Sequence, residues 1–164
     1  AALGAGVRLP LHGTAFVSVH DNDKHDMVPI VRDLIALGFH ILATRGTAGY
    51  LRLAGVESEV IFKVNEGHPH VADLLARGEV QLVINTPLGR ESYYDEAAIR
   101  KAALAYGVPC ITTLSASRAI VDAIRSLRSG DWSVQCLQDL ERVRREAADP
   151  TTALPMRSGA GRSA

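Results

Sequence analysis

The side chains with the most chemical potential in this chain are lysines, hydroxyls and an amide, each placed where an apolar run stops or is interrupted. Ser18 and Lys24 follow the first such run, and Thr44 and Thr47 the second. Lys63 interrupts a third, Asn85 and Thr86 close a fourth, and Thr112, Thr113 and Ser115 close a fifth. The densest stretch is Leu42-Ala43-Thr44-Arg45-Gly46-Thr47-Ala48-Gly49. There an apolar run gives way to a hydroxyl, a glycine and a second hydroxyl, and a helix-compatible segment, residues 48–54, follows at once. Strand, tight turn and helix in that order aim free backbone N–H groups and a positive helix end at one spot. Gly46 lets a bound group approach the backbone closely, and Thr44 and Thr47 add two hydroxyl donors. The chemistry is that of an anion cradle. The plainer reading is a strand-to-helix turn with Thr47 as N-cap.

Lys63 carries the most weight, because an ammonium buried without a partner in an apolar strand is costly. A lysine there must find an anion or snorkel to solvent. Lys24 falls in a first helical turn, where the dipole disfavours a cation unless an anion lies near. Other chemistries find less support. Asp21-x-Asp23 starts like a calcium loop, but the required glycine is missing and Arg32 stands where the closing glutamate belongs. His68-Pro69-His70 looks like a metal pair, yet no cysteine or further histidine has zinc spacing, so no metal is assigned. Neither a dinucleotide fingerprint, a P-loop nor a Gly-x-Ser-x-Gly elbow occurs. Cys110 falls inside a strand and reads as core.

These residues need a scaffold that brings them together. Residues 14–19 read as a buried strand. A helix capped by Asp23 follows, with Met27, Val28, Val31, Leu34, Ile35 and Leu37 on one face and Gly38 at its end. Further strands are expected at 39–43, 60–64, 80–85 and 108–112. Between and after them come a short helix from Pro69 through Leu75, an Ala-rich helix at 95–106 and a helix at 117–127. Residues 132–134 suit a sheet edge and 137–145 a polar helix. Alternation at this spacing implies right-handed crossovers and a parallel sheet covered on both faces. The expected class is α/β, a Rossmann-like three-layer sandwich with a five-stranded parallel sheet. Such sheets bind ligands beyond the carboxyl ends of their strands, which is where the lysines and hydroxyls collect. No aspartate or glutamate stands at the strand tips themselves.

Bulk properties bound the rest. A chain of 164 residues supports one ordinary core. Residues 1–13 read as a linker, 14–145 as the domain and 146–164 as a flexible tail. Zero formal net charge and 5% aromatic content argue against nucleic acid. No apolar run approaches the ~20 residues of a membrane span, and no leader pattern occurs. With only two cysteines, Cys110 and Cys136, a reducing, cytoplasmic setting is expected.

Five ordered motifs carry a family resemblance. They are Ser18-Val19-x-x-x-Asp23-Lys24, Ala43-Thr44-x-Gly46-Thr47-Ala48, Lys63-Val64-x-Glu66-Gly67-x-Pro69-His70, Ile84-Asn85-Thr86-x-x-Gly89-Arg90 and Thr112-Thr113-Leu114. Over about residues 14–140 the chain resembles the carboxyl-terminal allosteric domain of carbamoyl phosphate synthase large subunits, a methylglyoxal-synthase-like fold. The lead-in Leu3-Gly4-Ala5-Gly6 with Leu9-Pro10 is similar to the linker joining that domain to the synthetase half. The resemblance implies a regulatory module that performs no chemistry and holds no cofactor. It implies a parent ligase using ATP with Mg or Mn to make carbamoyl phosphate from bicarbonate and glutamine-derived ammonia, for pyrimidine and arginine synthesis. Implied partners are a nucleotide effector (UMP as inhibitor, IMP as activator), the synthetase core of the same chain and a small glutaminase subunit. Carried over by position, Lys24, Thr44, Thr47 and Lys63 would hold the nucleotide phosphate, with Ser18, Asn85 and Thr86 nearby. Thr112 matches a threonine of the ornithine-sensing loop.

Departures from the family pattern matter. Pro87 replaces a phosphate-facing threonine, removing a hydroxyl and an N–H. Cys110 and Ile111 replace a Tyr-Asp pair beside the ornithine loop. The rival reading is methylglyoxal synthase, a lyase of dihydroxyacetone phosphate, which needs a carboxylate base near the phosphate. In that family a Gly-Gly-Asp turn supplies it, whereas this chain has Glu66-Gly67-His68. A cyclohydrolase relative on the same fold has a Ser-Thr-Gly-Gly-Thr turn, and Arg45 departs from it.

Overall fold

Three of the five apolar runs, Gly13–Ser18, Phe39–Ala43 and Leu82–Asn85, become strands that are largely buried, whereas the flanking strands Glu59–Val60 and Cys110–Ile111 stay exposed or half-buried. The computed structural model describes residues 8–62, 66–86 and 93–130, with side chains of the last segment described from residue 97. The chain divides into the units Ala1–Asp131 and Trp132–Ala164, and the described residues all belong to the first. Lys63, the 87–90 loop, the expected edge strand at 132–134, the helix at 137–145 and the tail at 146–164 lie outside the described residues.

The strands are β1 (Gly13–Ser18), β2 (Phe39–Ala43), β3 (Glu59–Val60), β4 (Leu82–Asn85) and β5 (Cys110–Ile111). All pair in parallel, in the order β3-β2-β1-β4-β5. The helices are α1 (Lys24–Ala36), α2 (Arg45–Leu53), α3 (Val71–Ala76), α4 (Tyr93–Ala105) and α5 (Leu114–Ser129).

Side-chain alternation sorts the strands between two cores. Ala15, Val17, Ile41, Ala43, Leu82 and Ile84 pack with Met27, Val31 and Leu34 of α1, Leu51 of α2, and Val121 and Ile124 of α5. Phe16, Leu42 and Val83 face the other way, onto Val71, Leu74 and Leu75 of α3 and Ile99 and Ala103 of α4. The result is the expected α/β three-layer sandwich.

Element ends moved where local hydrogen bonding outcompeted apolar pattern. Asp23 makes no side-chain cap. Instead Asp21–Asp23 form a 3-10 turn whose Asn22 N–H donates to His20 Nδ1, and α1 follows directly. The second helix starts at Arg45 with Thr44 at the N-cap, so Thr47 lies inside its first turn. The third helix starts at Val71 rather than Pro69, because His70 and Asp73 close a reciprocal capping box. The third strand is shorter than expected, although Phe62 still bridges His70. Thr113 caps α5 by accepting from Ala116 N–H, which starts that helix three residues before the expected Ser117.

Gly13, placed by sequence in the linker, opens β1 at φ +120°. A Cβ there would lie 2.3 Å from Gln81 Oε1, the atom that accepts Thr14 N–H at 2.7 Å. Gly13→Ala should therefore destabilise the fold by ~1–3 kcal/mol through strain and the displaced Gln81. Leu53→Ala, at a side chain 88% exposed, should change stability by less than about 0.5 kcal/mol. Urea denaturation of the two variants checks the contrast.

Candidate functional site

The order β3-β2-β1-β4-β5 makes β1 the strand from which the chain first winds one way and later the other. Crossover helices α1 and α2 pack on one face, whereas α3 packs on the opposite face. Beyond the carboxyl ends of β1 and β4 lies the topological switch point, where sheets of this order have their gap. Ser18 and Asn85 are register partners across that gap, and both are buried.

Around this gap the structure gathers six of the seven residues predicted for the cradle. Thr44 N–H donates to Val17 O and Thr86 N–H to Ser18 O, tying both flanking loops to β1. Val19 N–H donates to Thr47 Oγ1 at 3.3 Å, and His20 N–H donates to Thr86 Oγ1 at 3.0 Å. Lys24 Nζ lies 3.4 Å from where a Cβ on Gly46 would sit, which puts the ammonium against the first turn of α2. Lys63 lies outside the described residues. Thr112 follows β5 at the sheet edge, half-buried, and no described hydrogen bond links it to the other six.

The direction of these hydrogen bonds sets the polarity of the site. A hydroxyl has one proton and two lone pairs. Thr47 Oγ1 accepts from Val19 N–H and, at 3.2 Å, from the Thr44 hydroxyl, so what it has left to give is a proton. Thr86 Oγ1 likewise accepts and keeps its proton. Sequence reasoning expected Thr44 to donate to a ligand as well; in the fold its proton goes to Thr47. Because the Thr44 side chain makes no cap, the N–H groups of Arg45, Gly46 and Thr47 keep no partner inside the helix. Donors, a positive helix end and an ammonium thus converge on one place. Among the described residues the buried Asn85 Oδ1 has no hydrogen-bond partner.

Asp21 is the residue that sequence reasoning missed. Its carboxylate lies 2.7 Å from Lys24 Nζ and is 79% exposed, against 15% for the lysine side chain. The spacing of three residues across a helical turn is the signal that could have found it. The Lys24 hydrogen bond, and then its charge, hold the Asp21 carboxyl below its ordinary value. Lys24 is therefore seated against a counter-ion on the solvent side. Cys110 behaves as the sequence suggested, since burial pushes its thiol up and keeps it protonated.

Two grooves lie apart from the cradle. One of about 720 Å3 runs between α2 and the β2–β3 edge, lined by Arg45, Arg52, His40 and Glu59 among others. Arg45 thus contributes its side chain to that groove, while its N–H belongs to the first turn of α2. A second of about 430 Å3 separates α1 from α2 at Pro29 and Tyr50. Among the described residues, no helix is long and apolar enough to cross a membrane.

The MGS-like domain family matches residues 26–112. The chain is 50% identical over 143 residues to the carbamoyl phosphate synthase large chain, C-terminal section, of Methanopyrus kandleri. That alignment covers 87% of this chain and 26% of the relative. It is also 50% identical over 140 residues to the carbamoyl phosphate synthase large chain of Synechocystis sp., covering 85% of this chain and 13% of that one. The chain therefore spans only a minor part of the relatives' length. In structure it is similar to methylglyoxal synthase from Elizabethkingia anophelis, with a TM-score of 0.56 at 20% identity over 69% of this chain and 79% of that one. At that identity the likeness concerns the fold.

Two outcomes follow from the cradle's geometry. Gly46→Ala should stabilise the fold by up to ~0.5–1 kcal/mol, as alanine in place of glycine does within a helix. The same substitution should weaken binding of inorganic phosphate, because the methyl group occupies the approach to Lys24 and the free N–H groups. Urea denaturation and phosphate titration by calorimetry measure the two effects. Asp21→Asn should lower stability at neutral pH. A carboxyl held low in the folded state contributes above its unfolded pKa of ~3.9 and loses that contribution as pH falls through the lower folded value. The difference from the parent chain should therefore shrink in acid, as thermal melts across pH will register.

Proposed function

The chain belongs to the MGS-like domain family, and from that premise we propose that it is the allosteric domain of a carbamoyl phosphate synthase large subunit. In this reading it binds a nucleotide effector, UMP as inhibitor or IMP as activator, and performs no chemistry itself. The parent ligase would be cytoplasmic and would make carbamoyl phosphate from bicarbonate, glutamine-derived ammonia and ATP with Mg or Mn. Its product would serve pyrimidine and arginine synthesis. Partners would be the synthetase core of the same chain and a small glutaminase subunit. Residues 1–13 would link to that core, and 14–145 would form the module.

One observation carries the proposal: the Lys24 ammonium rests against the uncapped first turn of α2, beside Gly46. Two like-signed fields share one place, and a phosphate monoester relieves both. Thr47 and Thr86 would donate to the phosphate, and Lys63 would supply a second ammonium. Asn85 Oδ1, buried and unpartnered, suits a hydroxyl near the phosphate ester, such as that of a ribose. The likeness to large-chain relatives supports the same reading.

Regulation would require the effector to contact two packings of the domain against its core unequally. The usual coupling of ~1–3 kcal/mol would shift substrate affinity several-fold to a hundredfold. Ornithine control through Thr112 would have to work without the Tyr-Asp pair of the family pattern, in whose place Cys110 and Ile111 stand. A lyase reading gains nothing from Asp21: a carboxyl held low by its ion pair is a poor base.

Calorimetric titration with UMP, IMP and ornithine tests the reading. We expect UMP or IMP to bind and Lys24→Ala to weaken that binding at least ~10-fold, the scale of one lost charge-assisted contact. Unchanged affinity in Lys24→Ala would remove the cradle from the site. Release of methylglyoxal from dihydroxyacetone phosphate would replace regulation with catalysis.

A further inference from the structure

The turn leading into α3 gathers a second set of chemically competent groups, and the cradle does not use it. His68 Nδ1 lies 2.7 Å from Asp73 Oδ2, and His70 Nδ1 lies 3.2 Å from the same oxygen. The two imidazole centroids are 4.4 Å apart, with planes tilted by 36°. One potential donor atom from each of the three residues lies within 4.8 Å of the other two. Sequence spacing passes over this group because it looks for a further histidine or a cysteine, whereas the third member is an aspartate one helical turn past His70.

We propose that His68, His70 and Asp73 form a binding site for a borderline divalent transition-metal ion of the Zn2+ class. Zinc bonds of ~2.0–2.2 Å to nitrogen and oxygen in a tetrahedron put neighbouring donors ~3.3 Å apart. The two imidazole-to-carboxylate separations, 2.7 and 3.2 Å, both fall a little short of that value, so modest outward side-chain rotations complete three corners. Two neutral imidazoles and one carboxylate suit zinc or its first-row neighbours, whereas Mg2+ prefers an all-oxygen octahedron. Burial differs across the set in a useful way. The His70 side chain is 11% exposed and fixed, Asp73 is 30% exposed, and His68 at 76% is free to swing. A tetrahedral ion with three protein donors keeps a fourth position for water.

Supporting bonds already orient the donors. Asp73 Oδ2 accepts His70 N–H at 2.9 Å, which aims the carboxylate back toward the imidazoles in the way that outer contacts steer metal ligands. The competing demand is small: His70 Nδ1 accepts Asp73 N–H over a long 3.3 Å. Loading would exchange that weak acceptance for a metal bond and displace the proton shared by His68 and Asp73.

The test uses the 164-residue chain, titrated with ZnCl2 and with MgCl2 by calorimetry, and with CoCl2 by visible absorption. We expect one Zn2+ site of micromolar affinity, no measurable Mg2+ heat, and cobalt bands of a tetrahedral site without thiolate charge transfer. His68→Ala changes an exposed side chain outside the capping box and should retain the fold. It should weaken Zn2+ binding at least ~10-fold, a loss on the scale of disturbed metal ligation. Asp73→Asn, with its melt recorded alongside, should do the same. Zn2+ affinity unchanged in His68→Ala, a thiolate band in the cobalt spectrum, or no Zn2+ binding by the parent chain would each overturn the proposal.

Discussion

A repulsion governs the architecture of the cradle. The positive end of α2 and the ammonium of Lys24 meet beside Gly46, and nothing in the apolar packing requires them to. Each alone would be stable in solvent; together they raise the local potential. The fold tolerates this because Asp21 answers the lysine from the solvent side, and because the flanking loops are tied to β1 by backbone bonds. Remove those ties and the lysine would relax away from the helix. The strain is small, but it is specific in place and sign.

That arrangement depends on topology more than on any single contact. Ser18 faces Asn85 because β1 and β4 pair in register, and Thr44 reaches Val17 because β2 flanks β1 on its other side. Segments far apart in the chain become one site through the crossing of α1 and α2 over one face and α3 over the other. The buried alternation of Ala15, Phe16 and Val17 fixes which face each strand residue takes. A slip of one residue would exchange those faces and scatter the cradle.

Much of this was legible before coordinates. Apolar runs ending in hydroxyls marked the strand tips, the region to which the switch-point rule points for a ligand. The sheet's class and the clustering of Ser18, Lys24, Thr44, Thr47, Asn85 and Thr86 followed from pattern alone. The illegible parts depended on local hydrogen bonds that apolar periodicity does not encode. The 3-10 turn at residues 21–23 is held by the His20 ring, and α3 is delayed to Val71 by the His70–Asp73 capping box. The role of Asp21 is not legible from strand tips, because its ion pair with Lys24 belongs to the turn that follows β1. Whether a threonine proton points toward a ligand or toward a neighbour likewise has no signature in sequence. Thr44 and Thr47 are alike on paper and opposite in role once their shared bond has a direction.

The bond direction at Thr47 extends beyond that residue. With its lone pairs occupied by Val19 N–H and the Thr44 hydroxyl, Thr47 has only a proton left to offer near the first turn of α2, where the Lys24 ammonium also lies. A group with only hydrogens to offer, such as a protonated amine, finds no lone pair at that hydroxyl, whatever its shape. The wiring of one threonine thus favours acceptors over donors at that point.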